Sequence, residues 1–399
     1  REDGGCLELY PSSNNREPEV NPSETIVPDF NSMAFFQVLP GVSFHAVQEV
    51  FGDRPRLSLQ GWYHSKDSPA QIEDATLSRL KTMGKGEDTE GTFSSVEWKD
   101  TTETILSEED FDALSQYINS TYLSQQSIDE IRKHFEEDSS VQLRKFIKDD
   151  WIEKLKAAMS TEKDLGNGEP TKDYSFGVDD CWKAVGPAHK QRFLEYSGDK
   201  EDNDSVGAIL QHLRTNVFQS EVFGRFLKLI TSLGLPFGYR GRVRRFRPGL
   251  DYTVAHYGIL TTKAVLDATL CFAAGNGDQS RVDEETGDLI GSDEDALWAS
   301  GDVGGFECYI AADDEENEAA TQYDEDDDTE LLSVDVSNNT LSLVYRDPGT
   351  MRFVKYVGCR APSSRWDVSM EYEVADDEEQ EDVAASDDAD EGSKDDNET

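Results

Sequence analysis

The chain has 399 residues, a formal net charge of −45 and five cysteines, long enough for a large core and for two domains. Charge of this sign disfavours direct nucleic-acid contact through the acidic runs; the odd, widely spaced cysteines exclude a disulfide framework or a Cys-x-x-Cys zinc site and fit a reducing compartment. No apolar run approaches a membrane span in length, and no membrane partner is expected.

Residues 4–10 (GGCLELY) and 33–39 (MAFFQVL) have strand composition, with a polar, Pro- and Asn-rich loop between them. Arg1 opens directly on strand-like sequence, so the natural N-terminus is expected to lie upstream. Residues 40–64 predict two strands joined by a turn, carrying His45, Arg56 and Ser58. A neutral imidazole suits Fe(II), and a planar guanidinium about one hairpin further on suits the distal carboxylate of a dicarboxylate cosubstrate. Iron oxygenases that use 2-oxoglutarate need both. Taken alone, His45 would be a packed or surface histidine; Arg54 and His64 read as surface residues.

Ile72, Leu77, Leu80 and Met83 predict a short helix, and the Gly-, Thr- and Ser-rich residues 84–104 a linker. Ser107 with Asp110 three residues on is a capping-box-like helix start, followed by an apolar stripe of Phe111, Leu114 and Ile118. Further helices are expected at 127–136, 139–158 and 205–231, the last with Ile209, Leu213, Val217, Phe226 and Ile230 at near-helical spacing. From Tyr239 to Val374 the pattern returns to strands. Three acidic segments carry most of the charge: residues 376–398 with thirteen acids against Lys394, 311–330 with eleven and no base, and 278–295 with eight against Arg281. Such runs repel themselves and are expected to be disordered, serving solubility or drawing basic ribosomal or nuclear partners.

An internal repeat bears on the architecture. Gly4-Gly5 and its strand are echoed by Gly304-Gly305, Pro40-Gly41 by Pro348-Gly349, and Arg56 by Arg365. Three landmarks in register predict two copies of one β-sandwich or jelly-roll unit, the first incomplete. The expected fold class is therefore mainly β with added helices (α+β): two double-stranded β-helix units, the second with a helical preface. The expected boundaries are 1–68 for the first unit, 69–105 for a linker, 106–374 for the second unit and 375–399 for an acidic tail.

The segment FFQVLPGVSFHAVQEVFGDRPRLSLQGWYH, with LSEEDFDALSQYINSTYL, WKAVGPAHKQRFLEY and VRRFRPGLDYT, resembles the ribosomal prolyl hydroxylases among the 2-oxoglutarate- and Fe(II)-dependent oxygenases. The resemblance spans roughly residues 1–374. It implies two double-stranded β-helix domains with only the first catalytic, His45 as the distal iron ligand, and Arg56 as the 2-oxoglutarate anchor with Ser58 assisting. It also implies Fe(II), 2-oxoglutarate and ascorbate as cofactors and a proline of a small-subunit ribosomal protein as substrate. A role in translation termination, ribosome or termination-factor partners, and location in nucleus and cytoplasm follow from the same resemblance. No histidine precedes His45, so the family's His-x-Asp pair is not in this chain, and the chain as given is expected to be inactive. The competing expectation is a non-catalytic binding protein acting through the second domain and acidic segments.

In the second copy, His256-Tyr257-Gly258 stands where His-x-Asp would be expected, and Arg352 or Phe353 falls where His45 would. That unit is expected not to bind iron, with His256 a structural relic. Arg240, Arg242, Arg244, Arg245 and Arg247 form a basic cluster that strand alternation divides between two faces; pairing with the acidic loops is expected for it.

Overall fold

The computed structural model describes residues 3–14, 16–39, 41–63, 91–96, 106–162, 173–198, 204–256, 259–261, 263–273, 281–282, 289–290, 293–312 and 330–374. It is mainly β-sheet with a smaller helical layer. β1 (Leu7–Tyr10) lies between β2 (Glu24–Ile26) and β3 (Phe44–Val47) in an antiparallel sheet. Residues 33–39 form no strand, and Met33, Phe35 and Val38 are exposed. The loop expected after β1 contains β2. Residues 51–63 also form no ladder, so Arg56 and Ser58 sit on irregular chain rather than on the expected second strand. Strand-like composition needs a neighbouring edge to pair with, and among the described residues these stretches have none.

The large sheet joins β5 (Ser140–Arg144), β15 (Thr340–Arg346), β10 (Val265–Ala273), β17 (Arg365–Glu373), β8 (Gly238–Phe246), β7 (Gln191–Tyr196) and β6 (Trp182–Val185), in that spatial order. β4 (Ser94–Ser95) also pairs with β8, and β9 (Tyr252–Thr253) with β7. The strict period of two in β17 explains its layering. Trp366, Val368, Met370 and Tyr372 enter the main apolar core, while Arg365, Asp367, Ser369 and Glu371 point the other way.

Helices cover the apolar face: α1 (Glu108–Ser115), α2 (Gln125–Asp138), α3 (Asp149–Thr161), α4 (Val206–Leu213) and α5 (Glu221–Thr231). Ser107 and Asp110 make the full capping box. Leu114 and Ile118 are buried, whereas Phe111 is exposed. The single helix expected over 139–158 is instead β5 followed by α3. Ser139, at φ 54°, ends α2 in the left-handed conformation, and Val141 and Leu143 then alternate inward as a strand requires. The long helix expected at 205–231 is broken by a π-turn at Arg214–Phe218.

The polar face of the large sheet is covered by a second three-stranded sheet, β14 (Glu330–Val334), β13 (Glu307–Ala311) and β16 (Thr350–Val354), with β13 central. β11 (Arg281–Val282), β12 (Leu289–Ile290) and the start of α6 (Asp293–Ala299) fall within the acidic segment 278–295, the rest of which lies outside the described residues. The helix expected around Ile72–Met83, His64 and the tail at 375–399 lie outside the described residues, as does most of the expected 69–105 linker; its residues 94–95 are paired.

Candidate metal and cosubstrate site

His45 lies on β3 directly opposite Leu9 of β1. Strand alternation turns His45, Leu7, Leu9 and Val47 to one face of the small sheet and Glu8 and Tyr10 to the other. The second face is closed. Glu8 accepts hydrogen bonds from Tyr10 and Tyr174, and Arg192 donates to the Tyr10 hydroxyl at 3.2 Å. The first face stays open, with His45 exposed. Its Nδ1 is 2.9 Å from the Ser43 carbonyl. A carbonyl only accepts, so Nδ1 carries the proton and the Nε2 lone pair is left outward, the tautomer a metal ligand requires. The Phe36 ring stands edge-on to the imidazole with centroids 5.0 Å apart.

Arg56 reaches the same sheet at its Gly5 end. A Cβ on Gly5 would come within 3.0 Å of Arg56 Cδ, and Gly5 also has φ +68°, so both space and backbone require glycine. One Arg56 amine donates to Ser58 Oγ at 3.3 Å, while Nε is buried without a hydrogen-bond partner. Arg54, by contrast, pairs with Asp3 at 2.5 Å on the surface.

The two halves of the cosubstrate chemistry fit unequally. A half-buried guanidinium that forms no ion pair among the described residues, with a hydroxyl beside it, suits a carboxylate. For iron, His45 is a single donor: no group of three or more His, Cys, Asp or Glu able to hold a metal occurs among the described residues. Those residues therefore do not complete an iron centre.

Arg352 lies opposite Tyr309 in β16 and β13, the register position His45 has opposite Leu9. The choice between Arg352 and Phe353 thus falls on Arg352. Its guanidinium is 3.1 Å from Asp267, 3.6 Å from Glu307 and 2.5 Å from Ser369 Oγ. Glu307 also meets Arg365 at 2.9 Å and Arg244 at 3.3 Å. Burial raises the Glu307 pKa, but Arg352, Arg365 and Arg244 outweigh it and bring the carboxyl down to about 2. Arg240 pairs with Glu371 and Arg247 with Asp251. Among the described residues the partners of these arginines are mainly buried carboxylates, while most of the acidic loops lie outside the described residues. Arg245 takes the opposite face, over the Trp366 ring at 4.3 Å. His256 is half-buried, and its two following residues lie outside those described.

Residue composition alone did not reveal Ser43, Phe36 or the clearing role of Gly5. The Gly-Gly pair was the available signal, legible as a repeat but not as a neighbour of Arg56. Glu49 was likewise missed: its carboxylate accepts from Tyr356 at 3.1 Å and from the Cys359 amide at 2.9 Å, tying the chain after β3 to the larger body.

Residues 109–382 match a family model described as oxoglutarate and iron-dependent oxygenase degradation C-term, and residues 1–64 match the 2OG-Fe(II) oxygenase superfamily. A prolyl 3,4-dihydroxylase OGFOD1 of Ostreococcus tauri is 34% identical over 93% of this chain and 69% of its own length. The prolyl 3-hydroxylases OGFOD1 of Xenopus laevis and sudestada1 of Drosophila melanogaster are 29% and 26% identical over 90% of this chain, which spans 60% and 58% of their lengths. A solved prolyl hydroxylase from Trichoplax adhaerens, in complex with a hypoxia inducible factor peptide, aligns at 10% identity and TM-score 0.33 over 65% of this chain and 92% of that one.

Proposed function

The chain belongs to the oxoglutarate- and iron-dependent oxygenases, and from that premise we propose that the protein is a prolyl hydroxylase in which Arg56 anchors 2-oxoglutarate and His45 is one iron ligand. The observation that carries this reading is the buried, unpartnered Nε of Arg56 beside Gly5, on the sheet that presents His45. Iron, once bound, supplies oxygen activation. The chain's own contribution is narrower: Arg56 and Ser58 orient the cosubstrate carboxylate, and Ser43 holds the His45 proton on Nδ1. The other ligands must come from residues other than the described ones.

The finer parts of the reading rest on the family resemblance and on relatives named as prolyl hydroxylases. The substrate is a proline of a small-subunit ribosomal protein, the consequence falls on translation termination, ascorbate keeps the iron reduced, and the protein works in nucleus and cytoplasm. The architecture is two double-stranded β-helix units, with divisions at 1–68, 69–105, 106–374 and 375–399. Supporting this are the shared 2-1-3 and 14-13-16 strand orders and the positive φ of Gly4, Gly5, Gly304 and Gly305.

A second reading, a binding protein without catalysis, is favoured by one observation: at Arg352 the register position of His45 is filled by a self-paired cation. Titration of the chain with 2-oxoglutarate tests the first reading. Arg56→Ala should weaken binding by about 2 kcal/mol, the scale of a charge-assisted pair; equal affinity in the variant removes Arg56 from its role. An encoding sequence that supplies His-x-Asp ahead of Gly4 decides for the enzyme.

A further inference from the structure

A cavity of about 330 Å³ opens at the edge of β8, away from the His45 sheet, and among the described residues its lining sets Arg214, Arg240 and Arg242 against one carboxylate, Glu195. It occupies a gap in the sheet. β8 pairs with β4 through Gly238 and Tyr239 and with β7 through Arg244 and Arg245. Between these contacts residues 240–243 have only β17 as a ladder neighbour among the described residues. The π-turn that breaks the helix after α4 begins at Arg214, on the wall of the cavity; such single-turn insertions recur at functional sites.

Arg240 and Arg242 both have partners, whereas Arg214 is incompletely satisfied among the described residues. Arg240 is held by Glu371 at 2.6 Å and by the Gly91 carbonyl at 2.7 Å. Arg242 is 4.0 Å from Glu195. Arg214 donates to Gln211 Oε1 at 3.1 Å, its Nε is buried with no hydrogen-bond partner, and no ion pair is formed with it among the described residues. Burial lowers its pKa and outweighs the opposing attraction of Glu195, so its charge is desolvated and only partly compensated. A desolvated guanidinium in a cavity of this size is stabilised by an anion more than by water.

We propose that this cavity binds a phosphate monoester, with its oxygens between Arg214 and Arg242. A planar carboxylate would present two oxygens to the guanidinium forks and leave the rest of the wall unused. The hydroxyls of Thr92 and Ser94 and the amide of Gln219 line the same space and provide donors for the remaining oxygens of a tetrahedral group. At about 30 Å³ per water, the volume holds a phosphate with room for its ester substituent. In a chain of net charge −45 long-range attraction is absent, so recognition rests on local donor geometry.

The test is calorimetric and 31P NMR titration of the full chain with inorganic phosphate, phosphoserine and acetate. Saturable binding of both phosphates is expected, with Arg214→Gln weakening it roughly tenfold or more and Arg214→Lys, which keeps charge but loses the fork, falling between. Circular dichroism and the urea midpoint report whether Arg214→Gln is folded; if it is not, Gln219→Leu at the cavity wall carries the test and must weaken phosphate binding. The proposal is overturned by absence of saturable phosphate binding, by acetate binding as tightly as phosphate, or by a folded Arg214→Gln protein with unchanged affinity.

Discussion

His45 and Arg352 hold the same register position in two sheets of the same strand order: His45 faces Leu9 and Arg352 faces Tyr309, each partner five residues after the first glycine of a Gly-Gly pair. One position presents an imidazole to an open face. The other holds a guanidinium among Asp267, Glu307 and Ser369. A cation supplied by the chain itself fills the second position, and the carboxylates around it are consumed in holding that cation.

Gly5→Ala should impair the cosubstrate anchor. The new Cβ would sit 3.0 Å from Arg56 Cδ and 3.3 Å from Val50 Cγ2, on backbone at φ +68°. A stability loss of about 1–2 kcal/mol is expected from the left-handed conformation, with weaker 2-oxoglutarate binding as Arg56 is displaced. Urea denaturation and calorimetry measure the two effects separately.

Glu307→Gln should cost about 3–5 kcal/mol, because removing the charge leaves Arg244, Arg352 and Arg365 buried without their common partner. Equilibrium denaturation checks this; a loss below about 1 kcal/mol would mean that Asp267 and Asp367 suffice.

Acid should act through the same residue. Glu307 titrates at about 2 in the folded chain against an ordinary 4.5, so between these values the unfolded state binds the extra proton. Its stabilisation is full above pH 4.5 and is lost as pH falls through about 2. Denaturation measured across that window should show a shallower pH slope in Glu307→Gln than in the natural sequence.

At the start of α1, Ser107→Ala should cost about 1 kcal/mol by removing one side of the capping box. Asp110→Ala should cost more, since Asp110 also receives Arg225 at 2.5 Å and 3.1 Å. The urea midpoints of the two variants give the order, and the reverse order would refute the assignment.

Glu49→Ala should loosen the chain after β3. It leaves the Tyr356 hydroxyl and the Cys359 amide without their carboxylate, a loss of about 1–3 kcal/mol for buried groups. Hydrogen exchange should quicken across residues 44–51 while α4 and α5 stay protected; uniform quickening would indicate global destabilisation instead.

Local signals were legible where one short stretch contains the whole physical cause. Ser107 and Asp110 announced the α1 cap because both partners of the box lie within one turn. The Gly-Gly repeat was visible because only glycine takes those positive φ values without strain. Residues 33–39 and 51–63 misled for the opposite reason: their composition suits strands, but ladder formation depends on a neighbour that composition does not specify. The 139–158 region failed at a single left-handed residue, Ser139, which stops one helix and turns the next five residues into β5.

By itself the sequence determined the residue types at the candidate site and the presence of two related Gly-Gly strands, since side-chain chemistry and backbone permissiveness are local properties. Only the tertiary structure decided that Arg56 crosses Gly5, that Arg352 rather than Phe353 takes the place of His45, and that the β8 arginines are buried among strand carboxylates. The first depends on the path of an irregular segment after β3, and the other two on register between strands tens to hundreds of residues apart, where a shift of one residue would turn every side chain to the other face.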